Sequence, residues 1–173
     1  FEKEGWAADY DLIVHNTGFG LLTDGDFVER LVQQHKGTPA VLIHSAVHSY
    51  RRAKPSAEPW FRFSGVQSMW HEEERTFTVE NVAPSDAIMK SFPLRWETPV
   101  TEELYVVEKL WGHITPLAQA YGVQTEAFHP VVWKRDVNGT RVFATTLGHN
   151  VGMFEQDVYL DLLANGVRWA VNR

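Results

Sequence analysis

The sequence predicts an α/β fold: a three-layer sandwich whose mostly parallel sheet is extended by an added antiparallel hairpin. Short, uninterrupted apolar runs alternate with amphipathic segments, as in buried parallel strands that are connected by helices. The pair Asn138-Gly139 lies between two strand-like segments, 127–135 and 141–147. It indicates the hairpin, because a tight two-residue turn requires positive φ angles. No linker or repeat interrupts the pattern, so 1–173 is predicted to be a single domain.

The first half of the chain supplies the parallel core. Residues 10–16 and 39–43 are apolar runs that predict two buried strands. Between them, Asp24 is a favourable N-cap and Gly37 a favourable stop for an amphipathic helix. The segment 54–71 is rich in proline and aromatic residues, and it predicts an irregular loop that packs over a site.

The second half supplies the remaining elements around the hairpin. Residues 76–82 alternate between apolar and polar types, which predicts an exposed strand, and 104–107 predict a further strand. The segment 114–121 predicts a helix, and 159–171 predict a closing amphipathic helix.

Composition excludes several classes of function. The chain is 44% hydrophobic and 22% charged, as is usual for globular proteins. A net charge of -6 without a basic stripe argues against a nucleic acid partner. The absence of cysteine excludes disulfides, a thiol nucleophile and cysteine-ligated zinc, and it fits cytoplasm and periplasm alike. No apolar run reaches the roughly 20 residues that a membrane span requires.

Two histidines follow predicted strands, His44 after 39–43 and His149 after 141–147. Because ligands of α/β sheets bind at the carboxyl ends of the strands, we expect these imidazoles to meet over one crevice. With Glu103 they form a candidate catalytic group for acid–base chemistry. With His48, four residues after His44, they form an alternative site for a divalent metal such as zinc, although the spacing matches no standard zinc signature.

A second group of residues is expected to contact substrate. Two tryptophans lie in the aromatic loop over 54–71, one histidine ends that loop, and one serine lies at the strand-to-helix elbow. That serine is also a possible nucleophile, although its surroundings lack the Gly-x-Ser-x-Gly pattern. The alternative for the aromatic residues is a place in the core, and for His44 a hydrogen bond to the backbone. The predicted substrate-binding residues are Ser45, Trp60, Trp70, His71 and Tyr105.

Several segments share their order and spacing with one known family. They are the strand over 10–14, the elbow His44-Ser45-Ala46, the run Glu102-Glu103-Leu104-Tyr105, the stretch from Pro130 to His149 and the pair Trp169-Ala170. Together they resemble the ThuA-like (trehalose utilisation) family. The resemblance spans nearly the whole chain.

The resemblance implies a flavodoxin-like, class I glutamine amidotransferase-like sandwich. In the amidotransferases a cysteine occupies the elbow at which this chain has His44, and a chain without cysteine has no glutaminase activity through a thioester. The sequence departs from the family at Ala83-Pro84, where His-Pro is common. The family domain also begins with one more strand and helix, so an amino-terminal βα unit is expected to be missing.

Two functions follow from the resemblance. The first is a role in the utilisation of trehalose or a related sugar, with acid–base or metal-assisted chemistry on a small-molecule sugar or keto-sugar. The alternative is a non-catalytic sugar-binding or structural module on the same fold. An exposed sheet edge beside the hairpin would permit an oligomer.

Overall fold

This computed structural model describes residues 3–172 of the chain. This part of the chain contains nine strands and three α-helices. The strands are β1 (Ile13–His15), β2 (Ala40–Ile43), β3 (Val66–His71), β4 (Thr78–Asn81), β5 (Arg95–Glu97), β6 (Tyr105–Leu110), β7 (Thr115–Gly122), β8 (Ala127–Val137) and β9 (Thr140–Thr145). The helices are α1 (Gly25–His35), α2 (Glu58–Ser64) and α3 (Asp157–Ala170). Short 3₁₀ helices include His44–Ala46, Ala87–Met89 and Val151–Glu155.

Seven of these strands form one mixed sheet in the order β1-β2-β9-β8-β7-β4-β5. Strands β1, β2 and β9 pair in parallel, and the rest of the sheet continues in antiparallel pairs, so that only β8 and β4 run against the other five. Strands β3 and β6 form a separate antiparallel pair. The predicted α/β class and the β8–β9 hairpin are confirmed, and the antiparallel part is larger than the single hairpin that was expected.

Helix α1 begins and ends where the sequence predicts. The side chain of Asp24 accepts a hydrogen bond from the backbone N–H of Phe27 at 2.9 Å, which satisfies one of the free donors in the first turn. The helix buries Val28 and Leu31, and Gly37 follows its end with a φ of 95°. It therefore connects β1 to β2 and covers one face of the sheet.

The helix predicted over 114–121 is wrong, because this segment is strand β7. It pairs with β8 on one side and with β4 on the other, and Ala120 lies opposite both Val79 and His129. Alanine and leucine are among the best helix formers, but intrinsic propensity is a weak preference, and strand pairing on both sides outweighs it. Strand β7 accommodates Pro116 because this residue lies next to a register shift in the β7–β8 pair.

The irregular loop predicted over 54–71 is also wrong, because helix α2 and strand β3 occupy most of it. The aromatic residues Trp60, Phe61 and Phe63 are all buried on α2. Their burial against the sheet, rather than contact with a ligand, explains the aromatic density of this segment.

Two hydrophobic cores lie on the two faces of the central sheet. Leu42 and Ala144 point into the core under α1 and α2, whereas their neighbours Val41 and Phe143 point into the core under α3. This alternation along β2 and β9 is what a strand buried on both faces requires, and it confirms the three layers. Within residues 3–172, no helix is both long and apolar enough to cross a membrane.

Candidate active site

His44 lies at a strained elbow directly after β2. Its φ of 47° is left-handed, a conformation that costs a non-glycine residue roughly 1–2 kcal/mol. Its Nδ1 is 2.8 Å from the backbone carbonyl of Thr146, and 7% of the residue is exposed. The elbow therefore fixes the ring at the carboxyl edge of the sheet, where β2 and β9 both end.

His149 lies on the loop after β9, and a buried carboxylate holds that loop in place. Glu102 is fully buried and accepts hydrogen bonds from the backbone N–H groups of Gly148, His149 and Asn150 at 2.8, 3.1 and 2.9 Å. Sequence reasoning missed this role of Glu102. Its only signal is its position beside Glu103, because its partners are backbone groups far along the chain.

The structure brings His44, His149 and Glu103 together. His149 Nδ1 lies 3.2 Å from His44 Nε2. The carboxylate of Glu103 places Oε2 3.5 Å from His44 Nε2 and Oε1 3.5 Å from His149 Nδ1. Each of the three residues offers a ligand atom within 4.8 Å of the other two.

The hydrogen bond to Thr146 determines which nitrogen of His44 is free to react. A carbonyl oxygen only accepts, so Nδ1 carries the proton and Nε2 of the neutral ring presents a lone pair. Burial lowers the pKa of His44, and the hydrogen bond to Thr146 and the charge of Glu103 oppose that shift only in part. The neutral ring therefore dominates near pH 7, with Nε2 directed at Glu103 and His149.

This donor set fits a divalent metal. Two imidazole nitrogens and one carboxylate are a common ligand set of catalytic zinc, and tetrahedral coordination places ligand atoms about 3.3 Å apart. The two imidazole nitrogens lie 3.2 Å apart, and each lies 3.5 Å from one of the two oxygens of Glu103, which is close to that spacing. The two rings also have partners behind them: the Thr146 carbonyl is hydrogen-bonded to His44, and Glu74 Oε1 lies 3.5 Å from His149 Nε2.

Two further residues complete the wall around Glu103. His71 Nε2 lies 3.3 Å from Glu103 Oε1, and its Nδ1 lies 2.9 Å from the carbonyl of Glu72. The hydroxyl of Tyr105 lies 3.3 Å from His44 Nε2. Burial, together with the charge of Glu103, raises the pKa of Tyr105, so this hydroxyl keeps its proton and serves as a donor.

His48 is separated from the three ligand residues. Its ring stacks on Tyr105, with centroids 3.4 Å apart and planes 4° apart, and its Nε2 bonds the Ser68 hydroxyl at 2.6 Å. Burial lowers the pKa of His48 to about 2, so the ring is neutral. The predicted metal group that includes His48 is not what the structure assembles: among the described residues, the ligand atoms that lie within 4.8 Å of one another come from His44, Glu103 and His149, and the Nε2 of His48 is bonded to Ser68 instead.

The ThuA family model, described as trehalose utilisation, matches residues 4–170. This chain belongs to the ThuA family. That membership confirms the resemblance noted in the sequence. No curated protein gives a significant match.

Solved structures agree with the ThuA fold. A ThuA-like protein from Parabacteroides merdae is similar over 95% of this chain and 71% of its own, with a TM-score of 0.71 and 20% identity. A ThuA-like protein from Bacteroides uniformis is similar over 93% of this chain and 69% of its own, with a TM-score of 0.70 and 18% identity. A glutamine amidotransferase from Thermotoga maritima is similar over 96% of this chain and 80% of its own, with a TM-score of 0.55 and 13% identity. At such identities the likeness shows a shared fold.

The remaining predicted contact residues of this ThuA domain lie in different places. Trp60 is fully buried and donates its indole N–H to the carbonyl of Ala46 at 3.1 Å. Its predicted role in substrate binding is wrong, because α2 turns the ring into the core. Trp70 is 42% exposed and precedes His71 on β3, so its role stays a prediction. Ser45 follows His44 at the elbow and is partly buried; its role also stays a prediction.

Proposed function

We propose that this ThuA domain acts on a sugar or keto-sugar in trehalose-related carbohydrate utilisation, at a centre formed by His44, His149 and Glu103. One observation supports the proposal most strongly. Two imidazoles and a carboxylate, from segments up to 105 residues apart, place reactive atoms within 4.8 Å of one another. They do so at the carboxyl edge of parallel strands, where α/β folds bind their ligands.

In this proposal His44 is the general base. Its Nε2 lone pair takes a proton from a sugar hydroxyl, or from the carbon beside a sugar carbonyl, while Thr146 holds the opposite side of the ring. The negative charge of Glu103, 3.5 Å away, stabilises the imidazolium that forms. Tyr105 donates its hydroxyl proton in a hydrogen bond to the oxygen on which charge develops.

As an alternative to this base chemistry, the same three residues would hold a divalent metal such as zinc, with His44 Nε2 as a ligand rather than as the base. A bound metal would polarise a sugar oxygen and lower the pKa of a coordinated water. Glu74, which faces His149 Nε2, would then orient that ring. His71, whose Nε2 lies 3.3 Å from Glu103 Oε1, would contact the incoming sugar, and the exposed Trp70 that precedes it in the sequence is proposed to do the same.

A proton-exchange experiment tests this function at its first chemical step. The protein is incubated in D₂O with keto-sugars and with trehalose, and deuterium incorporation is followed by NMR. We expect exchange beside the carbonyl of a keto-sugar, and a loss of about 10²–10⁴-fold in His44→Ala and Glu103→Gln. Zinc binding is measured in parallel by titration calorimetry, and it should disappear in His149→Ala.

The matched control is His113→Ala, since His113 is an exposed histidine outside the site. This variant should keep both activities. The proposal fails if the wild-type protein neither exchanges protons nor takes up zinc, or if the His113 variant loses as much as the site variants.

A further inference from the structure

A hollow lies at the opposite end of the sheet from His44, where β9 begins. It has a volume of about 610 Å³ and is lined by Lys90, Arg141, Asn165, Arg168, Trp169 and Asn172, together with Ala87. This volume is in the range of small-molecule sites. The hollow shares no residue with the candidate active site.

Packing between two elements builds the walls of this hollow. Asn165 on α3 donates its side-chain N–H to the carbonyl of Ile88 at 3.3 Å, which joins α3 to the 3₁₀ helix Ala87–Met89. Arg141 donates to the carbonyl of Trp169 at 2.9 Å and to the Asn172 side chain at 3.0 Å. The walls are therefore held together by internal hydrogen bonds before any ligand binds.

The charge of the hollow is opposite to that of the protein. The chain carries a net charge of -6, yet three of the lining residues are cations, and among residues 3–172 no carboxylate lines the hollow. Asp86, which precedes the lining residue Ala87 but does not line the hollow, is paired with Lys134. Lys90 and Arg168 are exposed, and across the described chain neither forms an ion pair with a carboxylate. Their charge is thus available to an anion.

The neutral part of the lining indicates what the anion is attached to. Trp169 is half-buried, and the cationic groups of Lys134 and Arg141 lie 5.4 and 5.5 Å from the centre of its ring. The partly exposed indole of Trp169 offers apolar ring surface to the carbon face of a sugar, and the amide side chains of Asn165 and Asn172 offer hydrogen-bonding groups to its hydroxyls. We infer that this hollow binds a small phosphorylated sugar, with the phosphate held by Lys90 and Arg168.

Titration calorimetry with glucose 6-phosphate, inorganic phosphate and glucose tests the inference. We expect glucose 6-phosphate to bind more tightly than either phosphate or glucose. The double variant Lys90→Gln, Arg168→Gln should weaken glucose 6-phosphate at least tenfold, because two charged contacts are lost. Arg141 is left unchanged, since it joins the end of α3 to β9.

Two control proteins make the result specific. The double variant Arg62→Gln, Lys109→Gln removes two exposed cations that flank another tryptophan, Trp111, and it should bind as the wild type does. His149→Ala should also bind as the wild type does, which separates this hollow from the candidate active site. Equal affinity of the Lys90/Arg168 variant and the wild type, or equal affinity for phosphate and glucose 6-phosphate, would overturn the inference.

Discussion

Acidification should destabilise this fold through His15, a histidine of strand β1 outside the candidate site. Its ring is buried, with Nε2 3.0 Å from Nε2 of His35 and its centroid 5.4 Å from that of Trp60. Burial lowers the pKa of His15 from 6.5 to about 3, and the nearby His35 adds to the shift. Below pH 6.5 the unfolded chain therefore binds a proton at this position that the folded chain does not accept.

The sign and the size of the effect follow from that difference. Above pH 7 both states are neutral at His15, and the group adds nothing to the pH dependence. As the pH falls from 6.5 towards 3, folding stability decreases, and at pH 5.0 the loss from this one residue is about 2 kcal/mol. Urea unfolding at pH 7.5 and pH 5.0 measures it.

The variant His15→Gln isolates the contribution of this residue. Its free energy of unfolding should fall by about 2 kcal/mol less than that of the wild type between the two pH values. The comparison uses a difference in slope, so a lower absolute stability of the variant does not affect it. His113→Gln, at an exposed histidine, should keep the wild-type slope. Equal losses in the wild type and His15→Gln would refute the reasoning.

Two further predictions concern packing and the loop that carries His149. Glu102→Leu should lower the free energy of unfolding by about 2–4 kcal/mol, because three backbone N–H groups lose their acceptor. It should also speed amide hydrogen exchange at 148–150, and unchanged exchange would contradict the role of Glu102. Gly166→Ala should cost about 1–3 kcal/mol in thermal unfolding, since a Cβ would lie 2.4 Å from ring atoms of Phe143. Leu160→Ala, at an exposed position of the same helix, should cost less, and a reversed order would be inconsistent with this packing.

Local signals made some elements predictable from the sequence. Asn138 and Gly139 both have positive φ angles in the structure, so the tight turn fixes the hairpin by itself. Asp24 caps α1 through a partner three residues away. In contrast, the strand β7 depends on neighbours distant in sequence, and no local property of residues 115–122 records that pairing.

The same distinction applies to the candidate site. His44 and His149 were identifiable because each follows a strand, and the parallel pairing of β2 with β9 brings those strand ends together. The burial of Trp60 was not predictable, because a tryptophan that faces the core and one that faces a ligand have the same local sequence signature. Glu102 was missed for a different reason: its partners are peptide groups, which every sequence contains.

The neighbouring carboxylates of Glu102 and Glu103 serve different parts of the molecule. Glu102 is a structural residue that holds the loop after β9, whereas Glu103 faces His44 and His149 in the proposed reaction centre. Under the proposed function, replacement of Glu103 alone would remove the reaction while the backbone that Glu102 holds kept its shape. A relative with such a change would then be inactive, although its backbone would match that of an active one.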